Sequence, residues 1–156
     1  MRISDAGLDL IKFYEGYKDE AYSCPAGVIT IGYGTTRYPN RYKIQLGDKC
    51  TRAEAEEWLI NDVSKAEKVI NNSFKGLTQS QFDALVSFQY NTGAIGLIDC
   101  TLAKKARVNP NDPTIYTYDE ADPVDSCEFL RWVRGKGKVM NGLIKRRMAE
   151  ADLYKT

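Results

Sequence analysis

The stretch TRAEAEEWLINDVSKAEKVINN, residues 51–72, carries the reading on which the fold turns. Thr51 followed three residues later by Glu54 is a capping box, in which each side chain satisfies a backbone N–H at the start of a helix. Ala55, Trp58, Leu59, Val63, Ala66, Val69 and Ile70 then recur at helical spacing and line one face. At 1.5 Å of rise per residue the segment makes about 30 Å of helix. It stands between a segment with strand signals and a remainder patterned for helices alone, so it reads as a strut joining two lobes.

On the N-terminal side, Ser4 caps a helix whose apolar positions are Leu8, Leu10, Ile11 and Tyr14, and Gly16 stops it. Ala21 to Cys24, the turn-forming Cys24-Pro25-Ala26-Gly27 and the β-rich Val28-Ile29-Thr30-Ile31 together predict a short hairpin. Arg41 to Leu46 alternates and predicts a third strand. Beyond the strut, Thr78 with Gln81 is a second capping box, opening a helix through Phe82, Leu85, Val86 and Gln89 that ends near Asn91-Thr92-Gly93. Further helices are expected over Thr101–Arg107, Glu128–Val133 and Gly142–Tyr154, with an irregular acidic stretch from Asn109 to Asp125. The class is α+β: a small sheet-bearing lobe over residues 13–58, a connecting helix over 51–72, and a helical lobe over 73–156 that takes in residues 1–12.

Composition narrows the chemistry. The 156 residues are 43% hydrophobic and 28% charged, the usage of a packed globular chain rather than a disordered one. Twenty-two Lys and Arg oppose twenty-one Asp and Glu, so bulk charge draws the chain to neither nucleic acid nor membrane. There is no histidine. That removes Ser-His-Asp, Cys-His and His-metal sites together and leaves carboxylates, thiols, hydroxyls and amines. Cys24, Cys50, Cys100 and Cys127 show no Cys-x-x-Cys spacing, so no metal site is indicated, and no cofactor is called for. With no apolar run for a signal peptide or a membrane span, the expected location is the cytosol, with the thiols reduced. The C-terminal third pairs an acidic stretch from Asp112 to Glu128 with a basic run from Arg131 to Arg147. That run is either a solvated face or a patch for an anionic surface.

Glu15, Cys24 and Thr30 are the candidate catalytic residues, because the helix end and the hairpin bring them to one junction. A carboxylate in the last turn of a helix meets the negative end of the dipole, which favours the protonated form that a general acid needs. If Cys24 pairs near Val28, then Tyr22 pairs near Thr30. Cys24 and Thr30 then lie diagonally on one face, about 7 to 8 Å apart, with room for a water between them.

Glu15-Gly16, Ala21-Tyr22, Pro25-Ala26-Gly27-Val28 and Thr30-Ile31-Gly32-Tyr33-Gly34-Thr35-Thr36 resemble the signature of the phage-type lysozymes, the endolysin family. The family separates a Glu, an Asp and a Thr by eight and then five residues, and Glu15, position 24 and Thr30 keep both gaps. The likeness runs on through Gly47, Thr51–Leu59, Leu77–Leu85, Phe88, Asn91, Gly93, Trp132, Gly142-Leu143 and Arg146-Arg147. It implies the two-lobed lysozyme fold and a muramidase that hydrolyses the β-1,4 bond between N-acetylmuramic acid and N-acetylglucosamine in peptidoglycan, so lysing the host cell. By this resemblance Glu15 protonates the glycosidic oxygen, position 24 assists from the opposite side of the sugar, and Thr30 orients the attacking water. Tyr33 and Asn91 would bind substrate, although Asn91 equally fits a cap on its own helix.

Two positions depart from the pattern. Cys24 stands where most of the family has Asp, as it does in some signal-anchor endolysins. It would work as a thiolate, either as base toward water or as nucleophile at the anomeric carbon. Thr35 replaces a histidine that serves stability in many relatives. The partners implied are peptidoglycan and a holin that opens a route from cytoplasm to cell wall, for a monomer that neither binds nucleic acid nor inserts stably into membrane. Two other readings are a lytic transglycosylase, in which the sugar's own 6-hydroxyl displaces the bond, and a catalytically silent wall-binding module that keeps the fold.

Overall fold

The structure is a computed structural model that describes residues 1–97 and 100–156. Six α-helices and two small antiparallel sheets are present among the described residues. The helices are α1 (Asp5–Glu15), α2 (Arg52–Ser73), α3 (Gln79–Thr92), α4 (Ala94–Leu97), α5 (Thr101–Val108) and α6 (Asn141–Lys155). The strands are β1 (Lys18–Ser23) with β2 (Ile29–Gly32), and β3 (Arg134–Gly135) with β4 (Lys138–Val139). Contacts divide the chain into two compact units, Ile11–Lys65 and Met1–Leu10 with Ala66–Thr156. Both boundaries fall inside helices, α1 and α2.

In the first unit the hairpin packs its apolar face into a small core. Ala21, Ile31 and Ile44 are its buried members, joined by Ile29, Tyr38, Cys50 and Trp58 at its edge. The capping box at the start of α2 is present: Thr51 N–H donates to Glu54 at 2.9 Å and Glu54 N–H donates to the Thr51 hydroxyl at 3.2 Å. Ala55, Leu59 and Val63 face inward from the helix that follows. The third strand expected over residues 41–46 does not form. Arg41 takes a left-handed backbone with φ 67° and closes a turn back to Tyr38, and a single bridge, Arg37 to Lys43, is all the pairing that results. Of the alternating residues only Ile44 is buried, too little apolar surface to hold a full strand on the sheet.

In the second unit α3 is the centre, with every residue from Gln81 to Phe88 buried. Its capping box, Thr78 with Gln81, and its left-handed Gly93 terminus form as the sequence reads. Asp83, 1% exposed, accepts the Ser4 N–H at 3.0 Å and the Ser4 hydroxyl, which pins the entry to α1. Around Phe88 the rings of Phe129 and Trp132 stand edge-on at 5.6 Å. The helix expected over Glu128–Val133 is a single 3-10 turn, Phe129–Arg131, since Trp132 leaves the helical region to seat its ring. Arg146 and Arg147, two members of the basic run, converge on Glu150, which also accepts the Ser87 hydroxyl at 2.7 Å.

Thr35 is held by two backbone bonds of 2.9 Å to Ile31. Its hydroxyl is buried with no hydrogen-bond partner among the described residues. Thr35→Val keeps the shape and removes that unmet donor, and should raise stability by about 1 kcal/mol. Chemical denaturation measures it, and a loss of stability would contradict the assignment.

Candidate active site

Glu15 is the last residue of α1, and the reason the helix ends there is Gly16, whose φ of 70° turns the chain left-handed while its N–H bonds back to Lys12 at 3.0 Å. The half-buried Glu15 side chain reaches the loop after β2. Gly34, at φ 81°, passes so close that a β-carbon there would lie 3.0 Å from Glu15 Oε2. Lys12, one turn earlier, is committed to Glu56 at 2.9 Å.

The hairpin register is the one the sequence predicts. Tyr22 pairs with Thr30, Ser23 with Ile29, and the Cys24 N–H donates to the Val28 carbonyl at 2.9 Å. Pro25 and Ala26 form the turn, Gly27 N–H closes it on the Cys24 carbonyl at 2.8 Å, and Gly27 itself sits at φ 79°. This three-residue loop with a left-handed glycine is a common hairpin connection. Its consequence at this site is electrostatic. The backbone donors of Val28 and then Ala26 act on the Cys24 sulfur, the Thr30 hydroxyl and the residue's own backbone add to them, and together they outweigh partial burial and hold the thiol below its ordinary value. Thr30 stands on the facing strand, and its hydroxyl is among the groups that lower the thiol. The same hydroxyl lies 3.2 Å from the Val28 carbonyl.

Glu15, Cys24 and Thr30, the candidates from the sequence and its family resemblance, all lie in the same unit. The turn donors were not read from the sequence, although Cys24-Pro25-Ala26-Gly27-Val28 specifies the turn type that supplies them. Tyr33 takes a different position from the one expected of a substrate-binding side chain. It is 7% exposed, with Tyr17 at 5.3 Å between ring centroids, the Lys12 ammonium 5.9 Å over its ring, and its hydroxyl accepting from Arg52 at 3.4 Å. It packs against the end of α1.

Asn91, in the second unit, does not cap α3, a role taken by Gly93. Its Oδ1 accepts from Arg147 at 2.7 Å, and it lines a groove of about 430 Å3 with Thr92, Arg131, Trp132, Arg134 and Leu143. With Oδ1 engaged, the amide N–H2 is the part left to donate. Among the described residues no three His, Cys, Asp or Glu side chains gather to hold a metal ion, and no helix is long and apolar enough to cross a membrane.

The family model described as phage lysozyme matches residues 12–150. The chain belongs to the phage lysozyme family. An endolysin of Acyrthosiphon pisum secondary endosymbiont phage 1 is 38% identical over 161 residues, covering 100% of this chain and 99% of the relative. Among solved structures, the endolysin from Escherichia coli O157:H7 phage FAHEc1 matches with a TM-score of 0.81 at 39% identity, over 99% of this chain and 93% of that one. The muramidase domain of SpmX from Asticaccaulis excentricus matches with a TM-score of 0.76 at 30% identity, over 99% and 98%. This phage lysozyme is accordingly an endolysin-type muramidase, a glycoside hydrolase of the lysozyme kind.

Gly34→Ala tests the support of Glu15. A left-handed non-glycine residue costs about 1–2 kcal/mol, and the added methyl displaces the carboxylate. Displacement of a reacting group by about 1 Å costs on the order of a hundredfold in rate. Thermal unfolding together with a wall-clearing assay should show a modest stability loss and a far larger activity loss.

Proposed function

We propose that this phage lysozyme hydrolyses the β-1,4 bond between N-acetylmuramic acid and N-acetylglucosamine of peptidoglycan with Glu15 as general acid, Cys24 as a thiolate base and Thr30 as the holder of water. The observation that carries the reading is the hairpin register, which sets Tyr22 opposite Thr30 and bonds Cys24 to Val28 in the same unit as Glu15; the groups of that turn favour the anionic form of the thiol. An anion opposite the acid is what a single displacement at an oxocarbenium-like centre requires.

The steps balance as follows. Glu15 gives its proton to the glycosidic oxygen as the bond to the anomeric carbon breaks. A water held by Thr30 attacks that carbon from the opposite face and loses its proton to the Cys24 thiolate, which becomes a thiol. One water is consumed, a new reducing end appears, and exchange with solvent returns Glu15 to the acid form and Cys24 to the thiolate. A pair of groups arranged to activate water favours hydrolysis over displacement by the sugar's own 6-hydroxyl. Asn91 serves binding in this reading, its amide donating to a sugar or peptide carbonyl in the groove beside Trp132. Tyr33 acts indirectly, by holding the end of α1. The same reading has the chain act as a monomer that reaches the wall from the cytoplasm through a lesion made by a holin.

Glu15→Gln should abolish lysis of permeabilised cells, and Cys24→Ala should lower it by about a hundredfold, the usual share of a general base. Parental activity in Cys24→Ala would exclude the thiolate. The pH profile has a defined sign. The thiolate exists above the Cys24 value, which lies below the ordinary thiol value near 8.5, so activity falls as the medium is acidified through it. Cys24→Asp replaces the thiol with a carboxylate of ordinary value near 3.9, and the acid-side limb should move to lower pH. NMR of the freshly cut sugar should show the inverted, α anomer, and retention would point to a covalent thioglycoside instead.

A further inference from the structure

The turn after β2 carries a second feature that the hydrolytic reading does not use. Arg37 and Lys43 are direct cross-strand partners in the antiparallel bridge that joins their two segments. Residues paired in this way project to one face with their β-carbons about 5 Å apart, and like charges so placed repel. Both are exposed, and neither makes an ion pair or a side-chain hydrogen bond among the described residues. The acid nearest in sequence is otherwise engaged: Asp48 Oδ2 accepts the Tyr38 hydroxyl at 2.7 Å and the Gln45 N–H at 3.0 Å. The turn that forces the two cations together is itself costly, since Arg41 sits at φ 67°.

Both cations line a groove of about 230 Å3 whose other walls are Val28, Ile29, Thr36 and Ile44. One end is therefore doubly positive and the floor is aliphatic. Val28 joins this groove to the candidate catalytic pair, for its carbonyl lies beside the Thr30 hydroxyl and its backbone acts on the Cys24 sulfur.

We infer that this groove is a subsite for the free carboxylate of a peptidoglycan stem peptide, an assignment that rests on the muramidase reading above. Stem peptides branch from the muramic acid, so a sugar engaged at Cys24 and Thr30 carries its peptide toward Val28. Their small apolar side chains suit the aliphatic floor, and a carboxylate relieves the repulsion between Arg37 and Lys43. The stability lost to that repulsion is offset only when substrate is bound.

The test uses the whole chain carrying Glu15→Gln, so that binding is measured without cleavage. The probes are sacculi stripped of phosphate polymers, and the same sacculi with their carboxylates converted to amides by carbodiimide and ammonia. Amidation should weaken binding about fivefold, the effect of two exposed charge pairs. Arg37→Gln with Lys43→Gln should weaken binding to untreated sacculi by the same factor, and amidation should then weaken it no further. In the active chain this double change should raise KM about fivefold while kcat falls less. Lys43→Glu sets opposite charges face to face, so its thermal midpoint should hold or rise while binding still falls, which separates loss of the subsite from loss of the fold. Unchanged binding in the double variant, effects that add to those of amidation, or binding that needs wall phosphate would each overturn the subsite. A parent chain that cleaves sacculi while these changes have no effect removes the subsite alone, whereas a parent that cleaves nothing removes the muramidase reading beneath it.

Discussion

The close approach of the loop after β2 to the two helices that flank it is the constraint on which this site depends. Gly32 lies at φ 64°, and a β-carbon on it would fall 2.9 Å from that of Ala55 on α2. Gly34 lies at φ 81° against Glu15. Between them the chain reverses, and Ile31 and Thr35 bond to each other through both backbone groups. Any side chain at either glycine meets a left-handed backbone and a filled space at once. The hairpin thus lies against α2, the final residue of α1 is held beside the strand that bears Thr30, and Tyr33, the residue between the two glycines, is turned inward.

What could be read in advance follows from how local each determinant is. The starts of α2 and α3 were legible because a capping box is a four-residue device whose partners are present in the sequence itself. The hairpin register was legible because Cys24-Pro25-Ala26-Gly27 fixes which residues stand opposite one another. Residues 41–46 misled because alternation alone does not make a strand when only Ile44 has a core to enter, and 128–133 misled because the pull of Phe88 on the Trp132 ring overrides helical spacing. At the candidate site, spacing and the family resemblance pointed to Glu15, Cys24 and Thr30, and the hairpin register that sets Cys24 and Thr30 near each other was legible. The ionisation bias of Cys24 depends on where turn N–H groups point, and the burial of Tyr33 depends on Tyr17, Lys12 and Arg52, which come from other segments of the chain.

The second unit shows a different economy. Glu150, fully buried, accepts from Ser87, Arg146 and Arg147, and Arg147 continues to Asn91. Buried ionic groups of this kind contribute little net stability over a packed apolar core, but removing one member leaves the others uncompensated. Their value is geometric: α6 is fixed on α3 in one register, and the exposed amide of Asn91 is fixed with it. A polar network that begins in the core and ends at a groove transmits the rigidity of the packing to a side chain on the surface.

The four cysteines occupy unequal surroundings. Cys100 and Cys127 are buried, Cys50 is raised by its burial, and Cys24 alone combines partial exposure with a bias toward the anion. Reactivity of a thiol toward soft electrophiles tracks its ionised fraction and its access. A mild alkylating reagent would therefore mark Cys24 in preference to the other three, and the label taken up would count the chains whose hairpin turn is intact, without any substrate being turned over.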